Sequence, residues 1–271
     1  DATKIRSIAR VLDAAPMREE LRNFLEKAGA YTLTPLSQML RLATRVPGLS
    51  DPPSLRKIYR LGQGTPDRMT DTRARVLATL VEYGGLGFTL SELAEMAGVT
   101  SSVVKGLAAQ GAVEEVDTPR DTPYLPLDPD LPSKDLTQDQ AQAAQTLREA
   151  IMARGYGTTL LKGVTGSGKT EVYLEAVAAC LKAGRQALVL LPEIALTSEF
   201  LTRVEARFGA KPAEWHSGVT MTERRRCWKM VGLGEAQLVV GARSALFLPF
   251  RDLGLVVVDE EHDTSYKQEE G

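Results

Sequence analysis

The stretch that most constrains this 271-residue chain is Gly163-Val164-Thr165-Gly166-Ser167-Gly168-Lys169-Thr170. An apolar run at 158–161 precedes it and reads as a short buried strand. The residues after it, 171–183, read as an amphipathic helix that Gly184 stops. Strand, glycine loop and helix are the context that separates a phosphate-binding loop from an ordinary glycine-rich turn. Gly163, Gly166 and Gly168 let the backbone turn tightly and bring N–H groups up to phosphate oxygens. The helix N-terminus adds partial positive charge at the same point. Lys169 then reaches the β- and γ-phosphates as a point charge, and the Thr170 hydroxyl is placed to ligate Mg²⁺.

Beyond the loop, strands alternate with helices. Strands are expected at 186–191, just before His216, at 237–240 and at 254–258, with helices at 198–208 and after the Thr220-x-x-Glu223 cap. This is the pattern of a parallel sheet covered by helices, with ligands at the carboxyl ends of its strands. Asp259-Glu260 follows the last apolar run directly. One carboxylate there serves Mg²⁺ and the next orients or deprotonates an attacking water. His262 is either a coupling residue or a satisfied polar one, and His216 reads as structural. The run Arg224–Arg226 reads as a solvated face. Upstream, Thr137-x-x-Gln140 opens a helix running to about 153. Gln140 is either the partner in a capping box or an amide that pairs with an adenine edge, and spacing alone favours the cap.

The N-terminal half divides differently. Residues 1–48 read as helical, with one segment opened by Pro16 and ended by Gly29 and another opened by Thr34-Pro35. Residues 49–69, rich in Pro, Gly, Arg and Lys, read as a linker with solvated charges. Residues 70–122 give helix, helix, turn, helix and strand, the plan of a winged helix. Its third helix carries only Lys105 as a cation, and the strand after it is acidic at Glu114 and Glu115. Phosphate contact needs cations, so a spacer or docking module is favoured over a duplex reader. The Pro- and Asp-rich stretch 123–134 reads as an extended connector to the lobe at 135–271.

Composition narrows the class. The chain is 43% hydrophobic and 25% charged, which is that of a globular protein, and its net charge of −2 argues against a generally basic binder. No apolar run approaches the ~20 residues of a membrane span, and no secretory leader pattern is present, so the cytosol is expected. Cys180 and Cys227 stand alone, without the spacing of a zinc site or a disulfide framework. The start at Asp1 and the end at Gly271 read as those of a piece of a longer protein.

Asp259-Glu260-Glu261-His262 has the Asp-Glu-x-His form of superfamily 2 helicases. Together with the loop and its Glu171-Val172-Tyr173-Leu174 sequel, Pro192-Glu193-Ile194-Ala195-Leu196-Thr197, His216-Ser217-Gly218 and Gly241-Ala242-Arg243-Ser244-Ala245-Leu246-Phe247, it resembles the PriA family of bacterial primosomal helicases. The resemblance covers about 135–271 and implies an incomplete RecA-like lobe of an α/β fold, preceded by a winged helix and a helical segment. It implies ATP and Mg²⁺ as cofactors, with Gln140 reading adenine and Gly163, Thr165, Gly166, Ser167, Gly168, Lys169 and Thr170 holding the nucleotide. Lys169, Asp259 and Glu260 would be catalytic, and Thr170 and Asp259 would hold the Mg²⁺. Thr197, Arg243, Ser244, Tyr266 and Lys267 would meet DNA, with Tyr266 and Lys267 opening a loop that couples DNA to hydrolysis.

The activity implied is ATP-dependent 3′-to-5′ unwinding at stalled or repaired forks that starts primosome reloading. Branched and single-stranded DNA, primosome proteins and single-stranded DNA-binding protein are the implied partners, in a cytoplasmic, nucleoid-associated setting. The family's second motor lobe, arginine finger and zinc-binding cysteines have no counterpart in this stretch. A fragment without them should bind nucleotide weakly and hydrolyse it poorly. The competing readings are another superfamily 2 translocase and an ATPase-deficient fork-binding scaffold.

Overall fold

The computed structural model describes residues 16–44, 46, 55–84, 86–164 and 166–266. The chain divides into two compact units, one formed by 1–50 with 123–271 and the other by 51–122.

The larger unit is built on a parallel sheet. Its strands are β3 (Gln186–Leu190), β4 (Ala213–Trp215), β5 (Leu238–Gly241) and β6 (Leu253–Val258), in the order β4-β5-β3-β6. Central β3 is buried along its whole length, as expected of a strand covered on both faces. A single buried amide fixes where three elements begin and end. Gln186 Nε2 donates to Val231 O at 3.1 Å and Ala236 O at 2.8 Å, while its Oε1 accepts from Arg251 N at 2.7 Å and Asp252 N at 3.0 Å. Both donors and both acceptor positions of the side chain are thereby used.

The helices of this unit are α6 (Gln138–Met152), α7 (Lys169–Lys182), α8 (Ser198–Phe208) and α9 (Met221–Leu233). Helix α7 is not the amphipathic helix expected. Every residue from Val172 to Leu181 except Glu175 is buried, because α6 covers one side and the sheet the other. Even Glu175 is tied down, accepting from Arg207 Nη2 at 2.9 Å and Arg148 Nη1 at 3.4 Å. The caps foreseen in the sequence are present. Thr137 and Gln140 make a full capping box at α6, and Thr220 accepts from Glu223 N at 3.3 Å at α9.

Two expectations fail here. The run at 158–161 forms no strand, and Leu160 is exposed. Gly155, Gly157 and Gly163 flank it, and fixing glycine backbone carries an extra entropic cost. The outer edge of β6 therefore has no partner among the described residues. The arginines of α9 are also not merely solvated. Arg224 donates to His216 O at 2.6 Å and lies over the Trp215 ring, and Arg226 donates to Pro123 O at 3.0 Å and lies 4.2 Å over Tyr124.

That last contact belongs to a strap. Residues 123–131 are bound along the lobe, with Leu127 N donating to Gln237 Oε1 at 2.7 Å and Asp128 N to Phe208 O at 2.8 Å. Arg207 adds a bond to Leu131 O at 2.9 Å, and Leu127 enters the core. The helical hairpin α1 (Glu19–Tyr31) and α2 (Leu36–Thr44) is joined to the same unit: Trp228 Nε1 donates to Ala43 O at 2.8 Å, and Phe24 stacks 5.7 Å from Phe247. Gly29 does not end α1, as expected, but lies inside it. A Cβ there would come within 3.0 Å of Thr34 O and 3.2 Å of Met39 Cγ, so the glycine permits the close turn between the helices.

The smaller unit holds α3 (Asp71–Glu82), α4 (Leu90–Met96) and α5 (Ser101–Ala109) around Val76, Leu80, Leu93, Val104 and Leu107. The Thr89–Glu92 capping box opens α4 as expected. The expected linker at 49–69 instead contains β1 (Leu55–Leu61), antiparallel to β2 (Val113–Pro119). Its basic residues meet the acidic residues of β2. Arg60 pairs with Glu114 at 2.8 Å, Lys57 with Glu115, and the Tyr59 hydroxyl donates to Glu115 Oε2 at 2.6 Å. Residues 1–15, 45, 47–54, 85, 165 and 267–271 lie outside the described residues, among them Thr165 and Lys267 of the expected site.

Candidate nucleotide-binding site and the loops beside it

The glycine loop leads into α7 through two residues in the left-handed region, Gly166 at φ 77° and Gly168 at φ 79°. An added side-chain carbon would displace a neighbour at two points. A Cβ at Gly168 would lie 2.4 Å from Gln140 Nε2, and one at Gly163 would lie 2.4 Å from Ser167 Oγ. Lys169 Nζ lies across the loop, donating to Gly163 O at 2.8 Å and to Val164 O at 3.4 Å. The first backbone N–H groups of α7 and the Lys169 ammonium thus converge on one short loop, the arrangement that binds phosphate.

Gln140 does more than cap its helix. Its Oε1 accepts from Thr137 N at 2.9 Å, and its Nε2 donates to Ser167 O at 2.9 Å. The start of α6 is thereby latched to the glycine loop. Spacing within 137–140 gave the cap, but nothing local could give the partner 27 residues away.

At the end of β6, Asp259 N continues the sheet ladder to Leu190 O at 3.0 Å. Asp259 Oδ1 accepts from Glu260 N at 3.0 Å, and Oδ2 accepts from the Tyr173 hydroxyl at 2.9 Å. Glu260 itself is held at φ 49°, a left-handed backbone that a non-glycine residue rarely adopts and that concentrates at functional sites. Its carboxylate lies 3.4 Å from His262 Nε2. Burial and the facing Asp259 carboxylate push the Tyr173 phenol far above its ordinary value. Tyr173 therefore joins the end of β6 to α7. The sequence reading missed it; its signal was a tyrosine three residues after Thr170, on the same helix face.

The donor set suits Mg²⁺. Thr170 and Asp259 supply hard oxygens, and no cluster of three or more His, Cys, Asp or Glu that could hold a metal occurs among the described residues. Mg²⁺ uses one or two protein oxygens and takes the rest from phosphate and water.

Three loops meet at the same sheet edge. Glu193, after β3, accepts from Ser217 Oγ at 3.0 Å. Trp215, at the end of β4, donates from Nε1 to Ser244 Oγ at 3.2 Å. Arg243, after β5, donates to Tyr266 O at 3.4 Å, and the Tyr266 hydroxyl donates to Asp259 O at 2.9 Å. Burial, then Asp259, raises the Tyr266 phenol as well. Thr197 caps α8 through its hydroxyl, which accepts from Phe200 N at 3.2 Å. His216 is satisfied by Gly218 N on Nδ1 and Glu214 on Nε2, each at 3.2 Å. Arg243, Ser244 and Tyr266 are thus brought together, while Thr197 stands at a helix start.

Residues 137–271 match the DEAD/DEAH box helicase family. The chain is similar to the replication restart protein PriA of Bacillus subtilis (strain 168), 36% identical over 223 residues, which is 80% of this chain and 27% of that protein. The protein of the same name from Synechocystis sp. is 40% identical over 220 residues, 80% of this chain and 26% of the relative. The one from Rickettsia felis is 47% identical over 137 residues, 51% of this chain and 20% of the relative. The chain therefore spans about a quarter or less of the length of these relatives.

Proposed function

We propose that this chain carries the ATP-binding lobe of a 3′-to-5′ DNA helicase that acts at stalled or repaired forks and starts primosome reloading. The observation that carries the reading is the bond from Tyr173, on the helix that the glycine loop opens, to Asp259, beside the loops where Arg243, Ser244 and Tyr266 also gather. Similarity to replication restart proteins supports the biological setting.

In this reading Gly163, Thr165, Gly166, Ser167 and Gly168 present backbone N–H groups to the nucleotide phosphates, and Lys169 meets the terminal phosphates. Thr170 and Asp259 hold Mg²⁺, whose chemistry is to neutralise charge on the transferring phosphoryl group. Glu260 orients the attacking water and takes its proton. Gln140 reads adenine with the amide hydrogen that Ser167 O does not use. On the DNA side, Arg243 supplies a cation for phosphate, Ser244 and Thr197 supply hydroxyls, and Tyr266 with Lys267 begins the segment that reports DNA to Asp259. The smaller unit is a winged helix that serves as a docking module, since the cations of β1 are already paired with the acids of β2.

The test is ATP hydrolysis by the full-length protein, with and without forked DNA, beside Lys169→Ala. Turnover stimulated by DNA and reduced about 100-fold or more in the variant is expected, by analogy with loss of a preorganised charge-stabilising donor. Tight fork binding without turnover, indifferent to the substitution, would replace the motor with a scaffold.

A further inference from the structure

The Tyr173 hydroxyl is bonded to one of the two side chains assigned to the cation. A carboxylate that ligates through one oxygen needs its other oxygen held. A phenol meets that need, because it has one hydrogen to give. Tyr173 gives its hydrogen to Asp259 Oδ2 at 2.9 Å. Its side chain is only 4% exposed, wedged among the residues of α7 and the sheet, so the ring cannot swing away without opening the core.

We propose that Tyr173 is a positioning residue for the Mg²⁺ site: it gives its hydrogen to Asp259 Oδ2 and so orients that carboxylate toward the ion. The proposal deepens the ATPase reading and rests on it. Outer partners of metal ligands characteristically govern metal affinity by 10- to 100-fold, without touching the metal. The backbone N–H groups that meet phosphate do not pass through Tyr173, so phosphate binding and cation binding should separate when the hydroxyl is removed.

The experiment uses the full-length protein and Tyr173→Phe, which keeps the ring and its packing. A fluorescent ADP analogue is titrated first in EDTA, then at fixed analogue with rising Mg²⁺. Expected for the variant are an EDTA affinity within twofold of wild type and a Mg²⁺ midpoint raised about tenfold. An unchanged midpoint overturns the proposal, and so does an equal loss of affinity in EDTA, which marks Tyr173 as a prop for the loop. If wild type itself binds no analogue in either condition, the ATPase reading fails instead.

Discussion

Gly168→Ala isolates the contact that latches α6 to the glycine loop. Two penalties act there. An L-residue held in the left-handed region, here φ 79°, costs about 1–2 kcal/mol. The added Cβ also meets Gln140 Nε2 at 2.4 Å, which forces that amide off Ser167 O and forfeits about 1 kcal/mol of hydrogen bonding. The sum is about 2–3 kcal/mol. Gly184→Ala is the internal control, because it sits at φ 73° with nothing within 4 Å of its Cβ and should cost only the backbone part, about 1–2 kcal/mol. Both tryptophans of the chain, Trp215 and Trp228, lie in the larger unit, so urea titration by tryptophan fluorescence reports this unit alone. Adding Gln140→Ala to Gly168→Ala should return about 1 kcal/mol relative to additivity, since the obstacle and the lost bond are the same pair. Equal cost at the two glycines, with strict additivity against Gln140→Ala, would refute the latch.

Arg207→Met should destabilise the larger unit by about 2–3 kcal/mol in the same titration, somewhat below the ~3–5 kcal/mol of a fully broken buried pair, because Glu175 retains Arg148. A loss below about 1 kcal/mol would mean that the strap and the pair are passive. In the smaller unit, the Thr89 backbone and side-chain bonds hold the Glu92 carboxyl below its ordinary 4.5. A depressed carboxylate stabilises above its unfolded value and loses that contribution as pH falls through the folded one. Hydrogen-exchange protection of α4 should therefore fall in acid below about 4.5. Glu92→Gln should flatten that dependence, and an unchanged profile in the variant would remove Glu92 from the account.

What was legible in the sequence was local. The caps at Thr89, Thr137 and Thr220 are read from spacings of three, and β3, β5 and β6 from apolar runs closed by turns. What was hidden depends on partners distant in the chain. Strand β1 buries only Tyr59, so its own residues look like a linker until Glu114 and Glu115 supply the opposite charges. The arginines of α9 look solvated until Trp215 and Tyr124 come to lie beneath them. The run at 158–161 shows the converse limit, since an apolar composition makes a strand only where a ladder receives it. In the site, the residue types at 163–170 and 259–260 announce their chemistry, whereas Tyr173 is an ordinary helix residue until Asp259 arrives from 86 positions away.

The edge of β6 that has no partner among the described residues has a further consequence. Leu253-Gly254-Leu255-Val256-Val257-Val258 is uncharged, free of proline and rich in β-branched residues, and Val256 and Val258 are 40% and 46% exposed. Such a strand is a template for recruiting another chain. The charges that restrain it stand at its two ends, Arg251 and Asp252 before it, Asp259, Glu260 and Glu261 after it. The acidic group at the strand's end is thus a gatekeeper against aggregation as well as part of the candidate site. Neutralising it to silence chemistry would also loosen that guard, so a variant's solubility needs to be known before its silence is interpreted.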